Sequence, residues 1–147
     1  QKLPAWAQTA VDDYLARFPR DFTVIVKEVK AEARTGGKPV AQVMAAEAER
    51  IERAVPAGDI LVAMDEHGRD MTTVDFAKKI SGWKNEGCGV TFIIGGADGL
   101  DPALKAKSRM MLRLSSMTLP HAFARVLLTE QIYRAWSILA NHPYHRV

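Results

Sequence analysis

The sequence predicts an α/β domain built on a mostly parallel sheet with helices on both faces. Three observations lead there. Two short, continuous apolar runs, Asp59 to Met64 (DILVAM) and Val90 to Ile94 (VTFII), read as strands covered on both sides. Segments of helical periodicity separate and surround them. The second run passes directly into Gly95-Gly96, a strand end of the kind at which open α/β sheets receive ligands. At 147 residues the chain fits a single domain, 1–147, able to bury a core without a disulfide or metal staple.

Taken in order, Pro4 to Arg17 reads as a helix with proline in its first turn and Trp6, Ala10, Val11, Tyr14 and Leu15 as its apolar face. Phe18-Pro19 stops it. Phe22 to Val29 is β-branched and partly alternating, so a strand is expected. Ala33 to Pro39 (ARTGGKP) reads as a flexible connection or a basic, substrate-facing loop. It is not a Walker loop, because Pro39 follows Lys38 where Ser or Thr is needed. Val40 to Ala54 is a helix with Val40, Val43, Met44, Ala48 and Ile51 on one face and a Glu49–Arg53 pair opposite. After the Asp59 strand, Asp65 to Gly68 turns the chain. Thr72 with Asp75 then opens a helix that buries Phe76, Ala77, Ile80 and Trp83 and ends near Gly87. Beyond Gly95-Gly96, Asp101-Pro102 starts a short helix, and Arg109 to Leu114 is a last strand or extended piece. The final helix carries a stripe of Leu128, Ile132, Ala135, Trp136 and Leu139. Phe123 and Leu127 form a second apolar flank, so two surfaces are expected to be covered, one of them by a second subunit.

Net charge is +3 and the pI is about 9.1, which permits an anionic partner without requiring one. The single cysteine, Cys88, forms no disulfide framework; a structural thiol in a reducing, cytoplasmic setting is expected. No apolar run approaches the ~20 residues of a membrane span. His142 and His145 flank Pro143 with no cysteine nearby, which does not match a zinc spacing, so no metal is expected. The glycine pair is either a plain turn or a place where a ligand meets backbone. The loop Leu114 to Leu119 (LSSMTL) is either a surface loop or a wall whose hydroxyls suit an adenine or ribose edge. His121 either begins the last helix or serves it structurally. The tail, Asn141 to Arg146 (NHPYHR), concentrates titratable, aromatic and cationic groups where chains usually fray, which suggests that it is placed against something.

The segments VTFIIGGADGL, LSSMTLPHAFARVLLTEQIYRAWSI and NHPYHR, with PAWAQTAVDDYLARFP near the start, resemble the ribosomal large subunit pseudouridine methyltransferase H family of the SPOUT class. The resemblance covers nearly the whole chain. It implies an α/β fold whose C-terminal part threads a deep trefoil knot, S-adenosylmethionine as cofactor, and a homodimer. It also implies methylation of the position-3 ring nitrogen of a pseudouridine in 23S rRNA on the assembled ribosome. The family's cofactor positions fall on Met64, Gly95, Leu114, Ser115, Ser116, Met117, Thr118 and Leu119. Its acceptor-side positions fall on Arg134, Tyr144, His145 and Arg146, with the tail of one chain expected to reach the other chain's cofactor pocket. Arg134 or Arg146 is expected to stabilise charge developing on the acceptor. Either His145 or solvent is expected to take its proton.

Two departures stand out. Ala97 and Asp98 replace the family's Pro-Glu, leaving a carboxylate one methylene short. The family also opens with a buried strand, so about eight to ten residues are expected ahead of Gln1. Lys105, Lys107, Arg109, Arg113 and Arg125 form either a phosphate-binding set or a solvated face. The competing readings are a related RNA methyltransferase with another target, and a ribosome-binding factor without catalysis.

Overall fold

Among the residues described by the computed structural model, 2–96 and 98–146, three parallel strands form one sheet. They are β1 (Ile60–Arg69), β2 (Val90–Ile94) and β3 (Met110–Leu112), in the order β2-β1-β3. Five helices accompany them: α1 (Ala5–Arg17), α2 (Val40–Ala54), α3 (Thr73–Asn85), α4 (Pro102–Lys107) and α5 (His121–Leu139). Thr35–Gly37 forms a single 3₁₀ turn inside the expected connection.

Successive strand side chains point to opposite faces, and here each face has its own core. Ile60, Val62 and Leu112 pack with Phe76, Ala77, Ile80 and Trp83 of α3 and with Ala135 of α5. Ala63 and Ile93 point the other way, toward Ala48 of α2 and Leu100 and Leu104 of the α4 region. The expected layering therefore holds. A third, smaller cluster of Leu3, Ala7 and Val11 attaches α1 to Ala122 and Val126 of α5.

Local chemistry sets the helix ends. The Thr72 hydroxyl accepts from the Asp75 backbone N–H at 3.1 Å and starts α3. Asp101 does the same for Ala103 at 2.8 Å, with Pro102 at the first position of α4. The chain leaves α5 through Asn141, at φ 55°, a left-handed position that asparagine tolerates. That turn directs the His142 N–H back to the Ser137 carbonyl at 2.8 Å and sends the tail back along the helix.

Several expectations change. Phe22 to Val29 is not a strand. Between this segment and the outer edge of β2 lies a cavity of about 650 Å³, lined by Val24, Val26, Phe92, Ile94, Leu128 and Ile132. β-branching favours an extended chain, but a ladder needs a neighbour within pairing distance, and among the described residues none pairs with this segment. The expected faces of α1, α2 and α5 hold in the main, with Val11, Val43, Ala48, Leu128 and Ala135 buried, but Trp6 is 50% exposed and Val40 and Leu139 also lie outward. On α5 the buried side chains are Leu128, Thr129, Tyr133, Ala135 and Ser137. The expected strand ahead of Gln1 lies outside the described residues.

β1 also runs past Met64. Leu112 pairs with both Met64 and Arg69, and the chain bulges between them. A Cβ at Gly68 would stand 2.7 Å from the Leu112 backbone, so only glycine fits there. Asp65 pins the bulge: it accepts from the His67 N–H at 2.8 Å and pairs with the Lys105 ammonium at 2.9 Å. Burial pushes the Asp65 carboxyl up, but the His67 N–H and Lys105 outweigh it and hold the group below the ordinary carboxylate range.

A depressed folded-state pKa stabilises the protein above the unfolded carboxylate value and loses that contribution as pH falls through the folded value. Acid titration of stability is therefore expected to be shallower in Asp65→Asn than in the parent, measured by urea denaturation below pH 5. Equal slopes would remove Asp65 from that role. In the core beneath α3, Phe76→Ala is expected to cost about 3–5 kcal/mol. The exposed neighbour Val74→Ala should stay within about 0.5 kcal/mol in the same assay.

Candidate functional site

Parallel register places three chain segments at one rim. Met64 pairs with Ile94 of β2 and with Leu112 of β3. The residues that follow these partners, Gly95 and then Leu114 to Leu119, leave the sheet side by side with Met64 at its carboxyl end. This is where an open α/β sheet holds ligands. Gly95 is buried, and a Cβ there would lie 2.4 Å from the Gly99 backbone. The immediate reason for glycine is thus the tight return of the chain at Gly99, with Gly96 and Gly99 bridged. In the loop, Leu114, Ser115 and Leu119 are half-buried, while Ser116, Met117 and Thr118 are exposed, Met117 by 77%. The Ser115 hydroxyl accepts from the Met117 N–H at 2.9 Å, which tightens the loop without covering its outer groups. His121 opens α5 beside this rim. Burial, and then the charge of Arg125, push its pKa down, so the ring stays neutral near pH 7.

The second group of candidates meets elsewhere, on α5 and the tail. The Tyr144 hydroxyl lies 2.9 Å from that of Tyr14 on α1 and donates to Glu130 at 2.8 Å. Arg134 donates to Glu130 through Nε at 3.0 Å and Nη2 at 2.8 Å. Its Nη1 stands 3.2 Å from His145 Nδ1, and its guanidinium lies 4.8 Å from the centre of the Tyr144 ring. Tyr133 packs edge-on against Tyr144 at 4.7 Å. The tail is therefore placed, as the sequence suggested. Burial first, and then the bonds to Tyr14 and Glu130, push the Tyr144 phenol far above its ordinary value and keep it neutral. The Glu130 carboxylate keeps Arg134 charged. Arg146 is exposed.

Arg134, Tyr144 and His145 are thus brought together, as are Met64, Gly95 and the Leu114–Leu119 loop. Among the described residues, no hydrogen bond or ion pair joins one group to the other within the chain. Sequence reasoning missed Glu130 and Tyr14. The Glu130–Arg134 spacing of four on a helix was a usable signal, since such pairs share a face. Tyr14 gave none, because its partner is 130 positions away.

The basic set that could be phosphate-binding or merely solvated is paired within the chain. Lys105 pairs with Asp65, Lys107 with Glu52, Arg109 with Glu86, Arg113 with Asp70 and Arg125 with Glu28. In the ARTGGKP connection, Arg34 pairs with Asp98 and Lys38 with Glu32, which fastens that loop toward the Gly95 turn. Asp98 is thus engaged by this loop, and Ala97 lies outside the described residues. Cys88 is half-buried, and its thiol lies 3.8 Å from the Glu86 carbonyl. No cluster suited to a metal ion occurs among the described residues. Nor is any described helix long and apolar enough to cross a membrane. The 650 Å³ cavity touches the rim only at Gly95, Gly96 and His121, so the site is assigned from strand register and not from cavity size.

Comparison with known proteins agrees with this geometry. The family model described as "Predicted SPOUT methyltransferase" matches residues 1–145. Ribosomal RNA large subunit methyltransferase H of Ralstonia pickettii (strain 12J) is 53% identical over 146 residues, covering 99% of this chain and 94% of the relative. Proteins of the same name from Bordetella avium (strain 197N) and Burkholderia cenocepacia (strain HI2424) are 55% and 54% identical over 145 residues, covering 99% of this chain and 93% of each relative. With a strand-end rim, a small-polar loop beside it and a full-length match of this strength, the chain belongs to the SPOUT methyltransferase family, among the relatives of ribosomal RNA large subunit methyltransferase H.

Proposed function

We propose that this protein methylates the position-3 ring nitrogen of a pseudouridine in 23S rRNA, using S-adenosylmethionine, on the assembled ribosome and as a homodimer. The observation that carries the reading is the alignment of Met64, Gly95 and Leu114 at one rim of the sheet by the register of β1 with both neighbours. The relatives' name supplies the large-subunit rRNA. The tail NHPYHR supports the pseudouridine target through the family resemblance, and the cytoplasm is the matching compartment.

The residues at the rim fit the cofactor. The hydroxyls of half-buried Ser115 and exposed Ser116 and Thr118 suit ribose and adenine edges, and Leu114, Met117, Leu119 and Met64 offer apolar walls. When bound, S-adenosylmethionine supplies a methyl group already activated by a sulfonium. The protein's own task is then alignment of the acceptor and stabilisation of charge on it. Arg134, kept cationic by Glu130, stands ready to meet negative charge on the acceptor's imide, with Tyr144 and His145 beside it. Arg146, exposed at the end of the tail, is a second cation for the substrate.

The separation of the two groups within one chain supports a composite site, in which the tail of one subunit serves the rim of the other. An apolar surface for the required contact exists. Trp6 and Phe123 are 50% and 49% exposed, their rings lie 4.8 Å apart, and Leu127 next to them is 38% exposed. The trefoil knot belongs to this reading through the family resemblance alone.

Gly95→Ala is expected to weaken S-adenosylmethionine binding at least about tenfold by calorimetry, because the new methyl must displace the Gly99 backbone. Unchanged affinity would move the cofactor away from this rim, and no binding to the parent chain would favour a non-catalytic ribosome-binding factor. Phe123→Asp with Leu127→Asp is expected to convert the dimer into a monomer by sedimentation equilibrium and to abolish methylation of purified ribosomes. A fully active monomer would reject the composite site. Mass spectrometry of the product should locate one methyl on a pseudouridine, with free rRNA a poorer substrate than ribosomes.

A further inference from the structure

Glu130 sits at the centre of a hydrogen-bonded chain that spans three parts of the fold. Thr73, at the start of α3, donates to Gln131 Oε1 at 2.8 Å. Gln131 Nε2 donates to Glu130 Oε1 at 2.8 Å. The other carboxylate oxygen, Oε2, receives Arg134 and the Tyr144 hydroxyl. Both oxygens are thus engaged, so the carboxylate has little freedom to rotate, and neither has the guanidinium it holds.

That fixed guanidinium has a consequence for His145. Arginine carries donors only and is never deprotonated in a protein. Its Nη1 lies 3.2 Å from His145 Nδ1. In that contact Nδ1 must be the acceptor, and in a neutral imidazole the single proton then belongs on Nε2. The other groups near the ring do not oppose this. Tyr144 is neutral and faces Tyr14 and Glu130, and the Arg17 guanidinium of α1, 6.0 Å from the centre of the Tyr144 ring, is a further cation near that ring. With Nδ1 occupied and Nε2 protonated, the ring has no nitrogen left to accept a proton from a substrate.

We propose that Glu130 is a positioning residue that, acting through Arg134, locks His145 as the Nε2–H tautomer, so that His145 donates a hydrogen bond to the acceptor base instead of removing its proton. The inference rests on the methyl-transfer reading for its acceptor, but the tautomer itself does not. The donor would meet a carbonyl oxygen of the base, on which charge builds as the ring nitrogen loses its proton, and that proton goes to water.

The first test needs no activity. In the ¹⁵N-labelled full chain, with His145 assigned by its loss in His145→Gln, long-range ¹H–¹⁵N spectra of the neutral ring should show a bare Nδ1 and a protonated Nε2. A proton on Nδ1 overturns the proposal, whatever the protein methylates. In Glu130→Gln the preference should relax toward a mixture of tautomers, and an unchanged spectrum overturns the role of Glu130. The second test is kinetic. The amide of His145→Gln donates from about the place of Nε2, so its kcat should exceed that of His145→Ala by about tenfold or more. Its pH profile should also keep the alkaline plateau of the parent. Equal loss in the two variants, or a lost plateau in His145→Gln, assigns His145 the proton instead and overturns the donor role. If the tautomer is as stated but neither ribosomes nor rRNA are methylated, the methyl-transfer reading fails and the positioning of His145 stands.

Discussion

The register of β1 with its two neighbours is the constraint on which the molecule depends. Met64 opposite Ile94 and Leu112 brings the ends of β2 and β3 level with the point where β1 begins to bulge. A shift of one residue would turn Val62 and Ala63 to each other's faces and exchange the two cores. The same shift would displace Gly95 and Leu114 from Met64 and dissolve the rim. The two cores and the shape of the rim are therefore set by one set of parallel ladders. The bulge that lets Leu112 meet Arg69 as well adds a second grip on β3, which is otherwise only three residues long.

What could be read from the chain was what neighbours along it determine. The apolar face of α3 falls on Phe76, Ala77, Ile80 and Trp83 as periodicity demanded, and the Thr72 and Asp101 caps sit where their side chains can reach a nearby N–H. The buried strands announced themselves as unbroken apolar runs. What could not be read was pairing across the fold. Phe22 to Val29 has strand composition, but its state depends on what lies opposite. Trp6 looked like core because α1 is amphipathic, but only the packing of Ala7 and Val11 on α5 fixes which side turns inward. The rim residues were legible from strand-end logic and from family resemblance together. The Tyr14–Tyr144–Glu130 meeting joins α1, the tail and α5, and no local pattern encodes it.

The charge balance bears on how such a small protein selects its substrate. A basic total suggested free cations for phosphate, but the lysines and arginines between residues 105 and 125 are each matched to an acidic partner within the chain. The exposed pairs among them, Lys107 with Glu52 and Arg109 with Glu86, contribute little stability and can exchange partners when a phosphate arrives. Cations matched in this way give a weaker outward field than their number alone implies.

The outer edge of β2 faces a lined hollow and not another chain. Peptide groups left in that condition act as a template for any extended segment able to reach them. An extended segment of the same chain, such as the strand that the family resemblance expects ahead of Gln1, is one such candidate, whereas the aromatic patch on α1 and α5 offers apolar side chains and no ladder. Light scattering that grows with concentration would therefore have two separate surfaces to report on, a strand edge and an apolar patch.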